Sequence, residues 1–111
     1  MTNHRVEKIN SQLKRVTSEF ITRTLASSES MITVTRVEIA SHLKEAKIFL
    51  SVWPEAKEKE ILSILASVRR DLYEYLSRHL KIKYIPSLTF EIDKGEKARL
   101  RVEEILQKEN K

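Results

Sequence analysis

An α+β fold, with a small mixed sheet covered on one face by helices, is what this sequence predicts, and three observations predict it. Apolar residues recur at three- and four-residue steps over residues 6–25 and 61–76, the spacing of amphipathic helices. Residues 32–39, 46–52 and 88–92 are instead rich in β-branched side chains and alternate with period two, as half-buried strands do. The order helix, strand, strand, long helix, strand, short helix then separates the strands by one long crossover, which layers helices over a sheet. A length of 111 residues fits one domain, residues 1–111, able to bury roughly two-thirds of its unfolded surface without staples.

The first helix has Thr2 or Asn3 as its cap and a stripe of Val6, Ile9, Leu13, Val16, Phe20 and Leu25. Its outer face carries Arg5, Lys8, Lys14, Arg15 and Arg23. Ser27, Ser28, Glu29 and Ser30 break the periodicity and make a connector. In the first strand Ile32 and Val34 keep one parity while Val37 and Ile39 keep the other, which predicts a β-bulge at Thr35 and Arg36. The second strand turns Ala46, Ile48, Leu50 and Val52 inward and Lys47, Phe49 and Ser51 outward, and pairs with the first as a hairpin.

Pro54 suits the first turn of the long helix, and Glu55 and Glu58 complement the positive end of its dipole. The buried stripe is Ile61, Leu65, Val68, Leu72, Leu76 and His79, the last as a packed or helix-end histidine. Unbroken to Lys81, this helix would be about 40 Å long at 1.5 Å per residue, more than a domain of this size spans. A modest bend or one distorted turn near residues 66–68 is therefore expected, with the Ser67 hydroxyl competing for a backbone carbonyl. Residues 80–86 form a basic turn, and Pro86 forces Ile85 into extended geometry to launch Leu88, Phe90 and Ile92. Asp93 to Glu96 has capping-box spacing, ahead of a short, partly frayed helix with Ala98, Val102, Ile105 and Leu106 and a polar tail at 107–111.

Composition narrows the function. The absence of cysteine excludes disulfides, thiolate metal sites and a cysteine nucleophile, and suits a reducing compartment. No apolar run approaches the about 18 residues needed to span a bilayer, so a cytoplasmic protein without membrane association is expected. His4, His42 and His79 are scattered and carboxylates alternate with lysines, as in Lys57, Glu58, Lys59 and Glu60, so neither catalysis nor a metal is indicated. A net charge of +5 favours polyanions.

Within the order of elements, residues 37–39, Leu43, residues 46–52 and the run Leu80-Lys81-Ile82-Lys83-Tyr84-Ile85-Pro86-Ser87-Leu88-Thr89-Phe90, followed by Asp93, resemble the ribosome-binding factor A family over nearly the whole chain. The resemblance implies a type II KH-like fold and a non-enzymatic factor, monomeric and free of cofactors. Such a factor binds the immature small ribosomal subunit and its ribosomal RNA, with assembly GTPases as further partners. Three departures stand out. The family's Ala-x-Gly kink is here Ala66-Ser67-Val68, and Gly95 is the chain's one glycine, so no glycine-rich nest can cradle a phosphate between the helical halves. An Asp-Pro-Arg after the first helix is replaced by Ser27 to Ser30. Ala40 and His42 stand where relatives have Ser and Asp, so the turn before the second strand is expected to lose an Asx-type bond.

Arg69, Arg70, Arg78, Lys81 and Lys83 concentrate charge from the middle of the long helix to the third strand, as a phosphate-contacting ridge would. By pattern alone a solvated face explains them better, since Arg70, Glu74 and Arg78 are spaced to pair; the resemblance reverses that order for the set. Arg5, Lys8, Lys14, Arg15 and Arg23 on the first helix are a second candidate contact surface for RNA, explained nearly as well by solubility. Trp53, Tyr73 and Tyr84 are read as core-edge packing ahead of base stacking, and outward Phe49 as a lateral packing or partner residue. The competing reading is a small protein-interaction module without specific RNA binding; a hydrolase is a weaker third.

Overall fold

The computed structural model describes residues 4–109. Helix α1 (His4–Thr24) leads into the hairpin of β1 (Met31–Ile39) and β2 (Glu45–Trp53). A 3₁₀ turn (Glu55–Lys57) precedes α2 (Glu58–Ser67) and α3 (Arg69–His79), then come β3 (Ser87–Ile92) and α4 (Lys94–Glu109). The proposed caps Thr2 and Asn3 lie outside the described residues. The sheet order is β1-β2-β3, with β1 antiparallel and β3 parallel to β2.

The pairing jumps from Val34 opposite Leu50 to Arg36 opposite Phe49, so Thr35 is the extra residue of the expected bulge. That slip returns both Val34 and Val37 to the core. One face of the sheet, with Val34, Val37, Ala46, Ile48, Leu50, Val52 and Leu88, is buried beneath Leu13 and Val16 of α1 and Ile61, Leu65, Leu72 and Leu76 of α2 and α3. Across α1 and α3, Phe20 packs against Tyr75 with ring centroids 5.6 Å apart.

The long helix is interrupted at one residue. Val68, at φ −104° and ψ 17°, separates α2 from α3, although Val68 N–H still donates to Ile64 C=O and Leu72 N–H to Val68 C=O. Ser67 Oγ also donates to Ile64 C=O, at 2.6 Å, the predicted competition for a carbonyl. The start of this unit differs from expectation: Pro54 caps the 3₁₀ turn at φ −71° and ψ 153°, after a cis Trp53–Pro54 bond, and α2 begins only at Glu58.

Three further expectations are corrected. His79 ends α3 but is exposed, stacked on Tyr75 at 4.1 Å, and Leu80 takes the next buried place. Trp53 and Tyr84 are 68% and 76% exposed rather than packed at the core edge, Trp53 at the last position of β2 and Tyr84 in the segment that leads into β3. The C-terminal helix is not short: α4 runs 16 residues, absorbing 107–109 of the expected tail, and leaves Val102, Ile105 and Leu106 exposed. A radius of gyration of 15.6 Å, against about 13 Å for a compact chain of this length, reflects that projection.

Asp93 explains how α4 is attached. Its Oδ1 accepts Glu96 N–H at 3.0 Å, the expected N-cap, and its Oδ2 accepts the Thr35 hydroxyl at 2.6 Å. Its own N–H donates to Leu50 C=O at 2.8 Å, so Glu96 does not close the other half of the box and pairs with Arg99 instead. Lys97 then ties α4 to Glu55 and Glu58.

Candidate nucleic-acid interface

A groove of about 630 Å³ lies between the N-terminal half of α1, the β1–β2 turn and the segment joining α3 to β3. The joining segment alternates by design of its sequence. Leu80 and Pro86 are buried and Ile82 and Ile85 pack against the core, so Lys81, Lys83 and Tyr84 are turned out. The β1–β2 turn is fixed by Leu43 at φ 62°, whose N–H donates to Ala40 C=O, and by Ser87 N–H donating to Lys44 C=O. The expected loss of the Asx-type bond does not occur: His42 Nδ1 accepts Lys44 N–H at 3.0 Å, an imidazole doing what a carboxylate does elsewhere.

Arg5, Lys8, Lys44, Lys81 and Lys83 line this groove, and no carboxylate does. Lys83 Nζ stands 5.6 Å from the Tyr84 ring centroid, so the one exposed aromatic of the groove is flanked by a cation. The walls therefore offer point charges for phosphates and a flat π-face for a base.

The predicted site residues divide. Arg5, Lys8, Lys81 and Lys83 meet here across more than 70 residues of sequence, joined by Lys44 and Tyr84. Arg15 lies on the flank of α1 that carries Lys8, in an ion pair with Glu19 at 3.3 Å, whereas Lys14 falls about 120° around the helix from Lys8. Arg69 is turned to the sheet, donating to Leu88 C=O at 2.7 Å. Arg70 and Arg78 share the outer face of α3, and among the described residues neither pairs with Glu74. The expected ridge is thus three surfaces. Lys44, in the turn before β2, is held beside the start of β3 by Ser87 N–H donating to its C=O, which no local pattern marks.

Tyr73 is half-buried, its hydroxyl accepting Leu88 N–H at 2.8 Å. Phe49 is buried on the open face of the sheet beneath the Arg36 guanidinium, 3.8 Å from the ring centroid. Among the described residues no three His, Asp or Glu converge as metal ligands, and no helix is long and apolar enough to cross a membrane.

The family model described as ribosome-binding factor A matches residues 5–106. The chain is 36% identical over 97 residues to ribosome-binding factor A of Prochlorococcus marinus, covering 84% of this chain and 79% of that one. To that of Protochlamydia amoebophila it is 33% identical over 111 residues, covering 97% and 85%. The crystal structure of ribosome-binding factor A from Thermus thermophilus superposes with a TM-score of 0.69 at 23% identity, over 78% of this chain and 93% of that one. A homology model of the same Thermus protein, fitted into a cryo-EM map of its complex with 30S, gives 0.62 at 23% identity, over 74% and 88%. The fold is KH-like, and the chain belongs to the ribosome-binding factor A family.

Proposed function

We propose that the protein is a ribosome-binding factor that assists maturation of the small ribosomal subunit by binding its ribosomal RNA, with Lys8, Lys44, Lys81, Lys83 and Tyr84 as the contact surface. The observation that carries this is a groove lined by five Lys and Arg side chains and no carboxylate, around an exposed tyrosine. Family membership supplies the particle, through the family's name and the 30S complex of the Thermus relative. The interrupted helix has no glycine at Val68, so phosphate contact falls to side chains. Action is by binding alone, by a monomeric single domain in the cytoplasm; dependence on an assembly GTPase for release belongs to the same reading.

Lys8→Glu/Lys81→Glu/Lys83→Glu is expected to abolish co-sedimentation with immature small subunits while the circular dichroism spectrum is kept. Arg70→Glu/Arg78→Glu, on the outer face of α3, is expected to weaken it far less. Single charge removals in the groove should each flatten the salt dependence by about 0.7–0.9 in log–log slope per lost phosphate contact. Unchanged binding by the folded triple variant, or salt-independent binding by the wild type, would favour a protein-interaction module whose charge serves solubility.

A further inference from the structure

The other end of the sheet carries a cavity of opposite character. It encloses about 350 Å³ between the end of β2, the 3₁₀ turn and α4. Among the described residues five carboxylates and two cations line it, a net charge of −3, and Arg99 outside the lining pairs with Glu103. Lys97 is engaged by Glu55 and Glu58, while Glu104 makes no ion pair among the described residues. Its apolar surface is Trp53, 68% exposed, and Leu100, 43% exposed. Met31, directly opposite Trp53 in the hairpin and 70% exposed, extends that surface.

These residues fit neither core nor RNA. A tryptophan left in water beside a cavity, with Leu100 extending its apolar surface, is the kind of anchor that protein interfaces use, whereas a net negative lining repels phosphate. Charge complementarity selects the occupant: a cationic segment with an apolar side chain to cover Trp53, steered by the rim glutamates. Proteins that neutralise RNA phosphates are cationic, so a particle that offers RNA also offers such segments. Lys44 and Trp53 stand nine positions apart along β2, about 30 Å at 3.3 Å per residue, so both ends can be occupied together.

We propose that the Trp53–Leu100 cavity docks a Lys- and Arg-bearing protein segment on the same particle whose RNA meets the basic groove. This rests on the ribosomal reading above, and the test separates the two. A benzophenone amino acid is placed at position 53, and separately at position 84, of the full chain, and each is photolysed on immature small subunits. Position 84 should crosslink to RNA. Position 53 should crosslink to protein, at a peptide that mass spectrometry shows to contain Lys or Arg. Glu103→Lys/Glu104→Lys should reduce the position-53 product at least tenfold and Glu103→Gln/Glu104→Gln by a smaller factor, with the position-84 product unchanged in both. An RNA product at position 53, a peptide without cations, insensitivity to both charge changes, or no product overturns the docking proposal. Absence of the RNA product at position 84 overturns the groove reading alone.

Discussion

A single imidazole nitrogen fixes the turn that presents Lys44: His42 Nδ1 replaces the carboxylate oxygen that a capped turn would otherwise use. Sequence pattern could not reveal this, because the bond depends on ring reach and turn geometry rather than on residue class. Gly95 is the opposite case. It sits in the first turn of α4 with no positive φ, and an added Cβ would meet only Asp93 Oδ1, at 3.4 Å. Gly95→Ala is therefore expected to stabilise the protein by about 0.5–1 kcal/mol, read as a rise in the denaturant midpoint. Arg36 shows how an outward residue is covered: alternation put Phe49 on the far face, and the neighbouring guanidinium supplies the lateral packing expected there.

Helices and strands were legible wherever apolar period and chain punctuation agreed. The bulge at Thr35 was visible as a parity slip, and Ser67 as a carbonyl competitor beside the interruption. The length of α4 was not visible, since a helix that buries little of its apolar stripe gives no sign of how far it continues. Its attachment is electrostatic. Hydrogen bonds from Thr35 and from the Glu96 amide hold the Asp93 carboxyl below the ordinary value of 3.8, and hydrogen bonding to Lys97 holds Glu55 below 4.5. A carboxylate depressed in the folded state stabilises fully above its unfolded value and loses that contribution as pH falls through the folded one. Below about pH 4 α4 should therefore loosen while the sheet persists, seen as partial loss of helical circular dichroism with the near-ultraviolet signal kept. Asp93→Ala should remove the Asp93 share of that pH dependence and lower stability at neutral pH by about 0.5–2 kcal/mol.

At the scale of the molecule, a shared core and a polarised surface are separate achievements of the sequence. The core was readable because burial follows periodicity; Leu13 and Leu72 are each fully buried, on α1 and α3. Leu13→Ala and Leu72→Ala should each cost about 2–5 kcal/mol in denaturant unfolding. The groove was readable only in part, because Lys44 reaches it through the parallel pairing of β3 with β2 and Lys8 through the packing of α1 on the sheet, neither of which a local pattern encodes. The Thr35 bulge has a consequence in time. Its hydroxyl holds a carboxylate 58 positions away, so the Asp93 cap of the last helix is braced only while the hairpin keeps its bulged register and β3 stays paired. Native-state amide exchange should then be ordered, with Glu96 N–H opening well before the amides of β2. Thr35→Val should hasten exchange at Glu96 while leaving β2 nearly as slow as before. The helix bearing Leu100, and with it the acidic end of the molecule, should thus open before the sheet does.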